Sequence, residues 1–383
     1  MSASGLLIIG CILLCLAIHP FTTYPLSLYL LYRLRGGRPL KLRTDAAPIR
    51  LAVCTCAYNE ESRIETKIKN LLALRQHSPT LEIYLYVDGA SDRTAEIAAR
   101  YGDLIHLHVS ADRRGKTHGM NHLVAQTSAD ILIFTDANVL LDHQALVRLV
   151  PYFSDPDVGC VCGNLNYTNA GESVTSSTGS MYWRLEESLK RLESGLDSMM
   201  GADGSLFAIR RSLHREPPDH IIDDMFVSFG VLCQGYRVVQ VSDVRAFEES
   251  IPVSSEEFGR KIRIACQAFN VHRLIWPQLR RLNGLLLYMY VSHKLLRWFS
   301  IFLFGAAMCF IFLGLLLAGW PAVAIAMVGS VGLILGAGYL GHVPVCSQLT
   351  DVFLALLGTG IGVWCSLRGE VYQTWNPAAS IRR

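Results

Sequence analysis

An α/β sheet of the nucleotide-binding kind, carried between membrane-spanning helices, is the fold class that this sequence predicts. Three observations lead there. From Ile49 onward short apolar runs alternate with amphipathic stretches. Both ends of the chain hold long segments without a charged residue, and the apolar run "ILIF" passes at once into Thr135, Asp136 and Asn138. A buried strand ending in an acid, a small residue and an amide places hard oxygen atoms at the carboxyl edge of a sheet. That edge is where open α/β sheets bind their ligands.

Taken in order, Leu6 to Tyr32 carries no Asp, Glu, Lys or Arg. That is length enough for one spanning helix, even with Pro20 and Pro25 inside it. A cleaved signal peptide fits less well, because no basic residue precedes the run. Arg33, Arg35, Arg38, Lys41 and Arg43 follow directly and place the next segment in the cytoplasm by the positive-inside rule. Then "IRLAVCTCA" reads as a strand, and Glu60 to Arg75 as a helix with Ile64, Ile68, Leu71 and Leu72 at helical spacing. "LEIYLYV" is the next strand, and Ser91 is the expected cap of a helix running to Arg100. "DLIHLHV", a helix from Lys116 to Thr127, and "DILIFT" complete four strands and three helices. This alternation favours parallel pairing through right-handed crossovers. No GxGxxG or GxxxxGK[ST] follows the first strand, which sets aside dinucleotide and P-loop chemistry. Trp298 to Ala318 and Pro321 to Leu340 are further uncharged stretches of spanning length, whereas Val352 to Leu367 is short and interrupted by glycines. The last is expected to lie in the interface or to re-enter, giving three spans. Arg368, Arg382 and Arg383 favour a cytoplasmic C-terminus. The expected organisation is an N-terminal transmembrane helix over 1–35, a cytoplasmic α/β domain over 36–282, and an interfacial helix with transmembrane helices over 283–383.

Bulk composition agrees. Hydrophobic residues make up 51% of the 383 and charged residues only 17%, below the ~25% of ordinary globular chains. A net charge of +3 with no basic run interleaved with aromatics excludes nucleic acid as a partner. None of the 11 cysteines has metal-site spacing, so "CTC" and "CVC" read as core thiols in a reducing compartment.

The strand ends carry the chemistry. They read "AYNEE" (Ala57 to Glu61), "VDGASD" (Val87 to Asp92) and "TDAN", with "RRGKTHGMN" (Arg113 to Asn121) opening the third helix. Downstream come "GADGSLFAIRR" (Gly201 to Arg211), "DDMF" (Asp223 to Phe226), "FGRKIRIACQ" (Phe258 to Gln267) and "SHKLLRW" (Ser292 to Trp298). Each motif alone is weak, but the set in this order and spacing resembles the membrane-bound family 2 glycosyltransferases. Those have a GT-A fold, and the resemblance is nearest to bacterial exopolysaccharide synthases of the poly-N-acetylglucosamine, hyaluronan and cellulose type. It covers roughly Ile49 to Arg383. It implies an inverting transfer from a nucleotide sugar, a UDP-linked one for choice, to a carbohydrate or lipid-linked acceptor at the cytoplasmic face of a bacterial inner membrane.

Residue by residue, the resemblance assigns nucleotide contacts to Ala57, Tyr58, Glu60 and Asp88, with Asp88 accepting from the base. Lys116 follows Gly115 at a helix start, where backbone donors already favour anions, and is expected on the diphosphate. So are Arg263 and, in the place of the family's glutamine, Arg260. Asp136 is the expected ligand of a divalent Mg²⁺ or Mn²⁺, which prefers oxygen. Asn138 stands where the family has a second Asp; it can coordinate only through a neutral amide oxygen, or else bind a sugar hydroxyl. Gly201, Asp203 and Asp223 are the expected acceptor side, and Asp224, second acid of "DDMF", the expected base. Ile264 takes the place of the family's acceptor-stacking tryptophan. That departure favours the alternative of a non-processive enzyme adding one sugar to a lipid-linked acceptor. A transporter is disfavoured, since the two later spans carry no charge.

Overall fold

The computed structural model describes residues 1–43, 49–168, 174–249, 254–341 and 343–374, with the backbone alone described for 174–184 and 254–257. Arg382 and Arg383 lie outside these residues. Two compact units emerge. One comprises Met1–Leu30, Ser254–Phe269 and Gly284–Glu370; the other comprises Leu31–Val253, Asn270–Asn283 and Val371–Arg383. These divisions cut the chain differently from the three expected blocks. The first half of the long helix after the catalytic sheet goes with the helical unit, and the tail goes with the sheet.

The helical unit opens with α1 (Ala3–Ile18), a 3₁₀ turn at His19–Phe21 and α2 (Thr23–Arg35). The expected continuous helix from Leu6 to Tyr32 is therefore divided. Pro20 lacks an N–H and its ring crowds the preceding turn, so the α-helical ladder stops there.

The sheet unit follows in the anticipated order. Its elements are β1 (Leu51–Ala57), α3 (Ile64–Leu74), β2 (Glu82–Asp88), α4 (Thr94–Ala99), β3 (His106–Ser110), α5 (Lys116–Gln126) and β4 (Ile131–Thr135). Then come β5 (Leu140–Leu141), α6 (Ala145–Leu149), β6 (Val158–Tyr167), α7 (Val174–Leu196), β7 (Leu206–Arg210), α8 (Asp223–Cys233) and β8 (Arg237–Glu248). The eight strands form one sheet in the order β3-β2-β1-β4-β7-β6-β8-β5. The first four run parallel to their neighbours, as the crossovers require; β7 turns antiparallel between β4 and β6. β1 and β4 are buried along their whole lengths, which is why they read as unbroken apolar runs. Val53, Ile83, Ile133 and Ala208 lie in the core beneath α3 and its neighbours. Cys54, Cys56, Cys160 and Cys162 are buried free thiols, as expected. Ser91 is not a helix cap: it pairs with Asn59, while Asp92 Oδ1 accepts from Thr94 N at 3.0 Å.

The long α9 (Ser254–Leu279) and α10 (Gly284–Tyr290) follow, then a π-helical stretch over Val291–Leu295, α11 (Leu296–Leu317), α12 (Pro321–Tyr339) and α13 (Pro344–Leu367). Among the described residues, four helical stretches are long and apolar enough to cross a membrane: Ala3–Phe21, Gly284–Leu317, Pro321–Tyr339 and Pro344–Leu367. The last corrects the sequence reading, which began this segment at Val352. Pro344 starts the helix, and Gln348 and Asp351 hide the continuity by breaking the apolar run without breaking the helix. Nor are its glycines interruptions. A Cβ at Gly362 would collide with Ile262 O of α9, and one at Gly360 with Ile301 of α11. They are close-packing contacts, where small residues let two helices approach each other closely. On the opposite flank, Gly10 of α1 accommodates Ile311 and Gly314 of α11 accommodates Leu7.

Candidate active site

Because β1, β2 and β4 are parallel, their carboxyl ends open on the same edge, and the loops that leave them meet there. Asn59 holds two of them together. It sits in the left-handed region at φ 52°, and its Oδ1 accepts from Ser91 N at 2.8 Å. An amide side chain tolerates that conformation better than most. Beside it, Glu60 is buried, and its N–H donates to Thr94 Oγ1 at 2.7 Å. Ala57 closes β1, fully buried. Tyr58 lies under Arg113, whose guanidinium carbon is 3.7 Å from the ring centroid. The sequence motifs contained Asn59 and Arg113, but no spacing rule singled them out, and Ser91 stood out only as a helix cap.

Asp88 is fully buried, and both carboxylate oxygens accept backbone donors: Oδ1 from Arg114 N at 2.7 Å, and Oδ2 from Gly115 N at 2.9 Å. Its first duty is thus to shape the turn that precedes α5. Gly115 adopts φ +97° there, and a Cβ would collide with the carbonyl of Gln373. Residues 371–374 accordingly lie against this turn, with Gln373 Nε2 donating to Arg114 O at 3.0 Å.

The start of α5 is tied to the loop before α8. Thr117 Oγ1 donates to Ile221 O at 2.7 Å, Asn121 Nδ2 donates to Pro217 O at 2.8 Å, and His118 pairs with Asp219 at 3.0 Å. These bonds bring Lys116 and the acids of α8 together. Lys116 Nζ lies 2.7 Å from Asp136 Oδ1 and 3.5 Å from Asp223 Oδ1. Burial alone would lower the lysine's pKa, but Asp136, Asp223 and Asp224 together raise it well above the ordinary value. Asp223 is 3% exposed, and its Oδ2 has no hydrogen-bond partner among the described residues. Asp224 Oδ1 accepts from Met225 N at 2.6 Å, while Oδ2 faces Gly204, where a Cβ would sit 2.9 Å away. Burial, then the neighbouring Asp223, push the Asp224 carboxyl up to about 7.

On the same side, Gly201 takes φ +91°, and Ala202 N donates to Ser228 Oγ of α8 at 2.9 Å. Asp203 accepts from Ser205 N at 3.0 Å and lies 3.8 Å from the buried Lys190 of α7. The structure therefore brings Lys116, Asp136, Asp203, Gly204, Asp223 and Asp224 into one cluster. Gly204, Ser228 and Lys190 are members that the sequence reading did not select. Arg260 and Arg263 belong to the helical unit, on α9, where Arg263 Nη1 donates to Gln267 Oε1 at 3.2 Å.

The turn from Thr135 to Val139 is braced from below by Lys67 of α3, a lysine with no exposed surface. Its Nζ donates to Thr135 Oγ1 at 3.0 Å and to Val139 O at 2.5 Å. Burial draws its pKa down to about 7, against the pull of Asp136. Thr135 Oγ1 passes the constraint on by donating to Ser205 O at 2.8 Å. Asn138 Nδ2 donates to Glu248 Oε1 at 2.8 Å.

Among the described residues, no three His, Cys, Asp or Glu side chains form a metal cage. The donors present, a carboxylate at Asp136 and an amide at Asn138, suit a hard cation whose other ligands come from phosphate. The Oδ2 of Asp223 is a buried polar atom left without a hydrogen-bond partner among the described residues, as a site that receives a further polar group would have it. Chemically, the cluster offers a lysine that could hold an anion, a turn whose oxygens could hold a cation, and a carboxyl whose raised pKa would let it take a proton near neutral pH.

Three comparisons bear on this arrangement. Residues 52–216 match the family model Glycosyl transferase family 2. A poly-β-1,6-N-acetyl-D-glucosamine synthase of Staphylococcus aureus is 28% identical over 189 residues, covering 47% of this chain and 45% of the synthase. The chain thus spans about half the length of that relative. An O-antigen chain rhamnosyltransferase of Salmonella typhimurium is 28% identical over 204 residues, 49% of this chain and 63% of its own. Among solved structures, a mannosyltransferase from Pyrobaculum calidifontis in complex with GDP-Man and Mn²⁺ superposes with a TM-score of 0.71. Its identity is 19%, over 94% of this chain and 99% of that one. This likeness establishes the GT-A fold.

Proposed function

We propose, on the premise that residues 52–216 of this chain are a family 2 glycosyltransferase domain, that it moves a sugar from a nucleotide-sugar donor to a growing polysaccharide with inversion at the anomeric carbon. The observation that carries this reading is Asp224. It is a carboxyl with its pKa at about 7, in the same cluster as the lysine and turn suited to a diphosphate. A general base works best when its pKa lies near the operating pH.

The acceptor hydroxyl oxygen forms the new bond to the anomeric carbon as the carbon–oxygen bond to the diphosphate breaks. Asp224 takes the hydroxyl proton, and the nucleoside diphosphate departs with the electron pair. Lys116 offsets the charge that collects on it. A divalent cation held by Asp136 and Asn138 would neutralise the same diphosphate. Tyr58, Glu60 and the turn shaped by Asp88 would receive the nucleoside, and Arg260 and Arg263 are proposed as further diphosphate contacts. Gly201, Asp203 and Asp223 are proposed on the acceptor side.

A UDP-linked donor follows the resemblance to the exopolysaccharide synthases, and a GDP-linked one has a precedent in the Pyrobaculum structure. Placement at a bacterial inner membrane follows the same resemblance, and the basic residues after Tyr32 favour a cytoplasmic sheet unit. A second reading, single transfer to a lipid-linked acceptor, is favoured by Ile264, which presents no ring face to a sugar. The deciding experiment incubates membranes with a panel of labelled UDP- and GDP-sugars and resolves the products by size. A glycosidase-sensitive ladder supports polymer synthesis, and a single lipid-soluble product supports the second reading. Absence of transfer from every nucleotide sugar would overturn both.

A further inference from the structure

The third place of the "DAN" turn departs from the resembled pattern, and the sheet explains why. β5 pairs antiparallel with β8 in the register Leu140↔Phe247. Two residues before Leu140 stands Asn138, and one after Phe247 stands Glu248, so the two side chains meet across the strand ends. Asn138 Nδ2 donates to Glu248 Oε1 at 2.8 Å. The end of β8 is held on its other side too. Glu248 O accepts from Thr168 N at 3.0 Å, and Glu249 is ion-paired to Arg63 at the start of α3.

A carboxylate at position 138 would stand within hydrogen-bond distance of a second carboxylate. Two such groups cannot both ionise without strong repulsion. An amide resolves this conflict: its NH₂ is committed to Glu248, and its oxygen is what remains for a cation or a sugar hydroxyl. Charge is conserved by the exchange. An Asp-X-Asp turn carries two negative charges; here Asp136 carries one and Glu248 the other.

We propose that Glu248 is a positioning residue for the cation-binding turn, fixing the Asn138 amide and supplying from β8 the negative charge that the turn itself lacks. Outer groups that orient ligands and adjust their charge typically change metal affinity 10- to 100-fold when lost. The proposal rests on the cation reading given above.

The test is a double-mutant cycle on the full-length protein: Glu248→Gln, Asn138→Asp and the two combined. Mn²⁺ affinity is measured by electron paramagnetic resonance with UDP and, separately, with GDP, and melting temperature is measured without metal. In the native background Glu248→Gln keeps an acceptor for the Asn138 amide but removes the charge. Mn²⁺ affinity should fall about tenfold. In the Asn138→Asp background the same change should cost nothing, and the exchanged pair should lie within about threefold of the native protein. Without metal, Asn138→Asp should lower the melting temperature, and adding Glu248→Gln should restore it. Equal losses from Glu248→Gln in both backgrounds, or native affinity in Glu248→Gln alone, would overturn the proposal. If the native protein binds no Mn²⁺ with either nucleotide, the cation reading fails. The melting temperatures then decide the Asn138–Glu248 coupling by themselves, and additive shifts would sink it.

Discussion

As the proposed base, Asp224 makes opposite demands on activity and stability. Its pKa is raised from 3.8 to about 7 in the folded protein. A raised folded pKa contributes stability that is fully present below about pH 4 and is lost as pH rises through 7. Above that, the ionised acid is held beside Asp223 against its preference. Asp224→Asn should therefore melt higher than the native protein at pH 8, by roughly 1–3 kcal/mol, with the gain vanishing near pH 4. It should also lose roughly 10²–10⁴-fold in transfer rate. Native kcat/KM should fall about tenfold per pH unit below 7 as the base is protonated; a flat profile from pH 5 to 8 would remove Asp224 from the role. Its neighbour offers a second probe. A Cβ at Gly204 would press on Asp224 Oδ2 at 2.9 Å, a side-chain atom that can swing aside. Gly204→Ala is expected to cost less than about 1 kcal/mol in stability. It should still cut kcat at least tenfold by turning the base, and a variant with native kcat would show that Oδ2 is not the atom that matters.

Elements hold these residues to different degrees, and that difference governs what could be read in advance. The parallel core was legible because β1 and β4 are buried on both faces and α3 keeps its apolar residues at helical spacing. Motif order likewise pointed to Asp136, Lys116 and Asp224. What stayed hidden is what tertiary pairing creates. Lys67 sits among the polar residues of α3 in sequence, and only the fold shows it fully buried under the Thr135–Val139 turn. Glu248 stands more than a hundred residues from Asn138, and the register of β5 on β8 joins them. Pro20 was visible, yet its effect depended on whether neighbouring helices could absorb a break, which local sequence does not state. The buried lysine allows a prediction for α3 as a whole. Lys67→Met keeps the volume but leaves Val139 O without its donor, so stability should fall by roughly 1–3 kcal/mol. The turn should also loosen, visible as faster amide exchange over residues 135–139. Unchanged exchange there would mean that strand pairing, not the lysine, orders the turn.

At the scale of the whole molecule, the tail on the turn before α5 has a consequence that is a matter of counting. Arg114 and Gly115 belong to the sheet unit, and Gln373 is bonded to them. The chain leaves that unit for α10 and is back by Val371. A path that departs from one side of a bilayer and returns to it has passed through an even number of times. Yet three of the four stretches long enough to cross lie between those two points, and three passes would strand the tail on the far side. We therefore expect one of them to stay on the near side, and α13, with Gln348 and Asp351 in its first half, is the one whose burial in hydrocarbon would cost most. Single-cysteine variants that retain only Cys346 or only Cys365, at its two ends, test this in sealed vesicles with the sheet unit outward. An impermeant maleimide should label both, whereas protection of Cys346 until the vesicles are opened would show that α13 crosses. The number of membrane passages, usually judged from lengths of apolar sequence, is here a question of parity, answered by the surface that residues 371–374 touch.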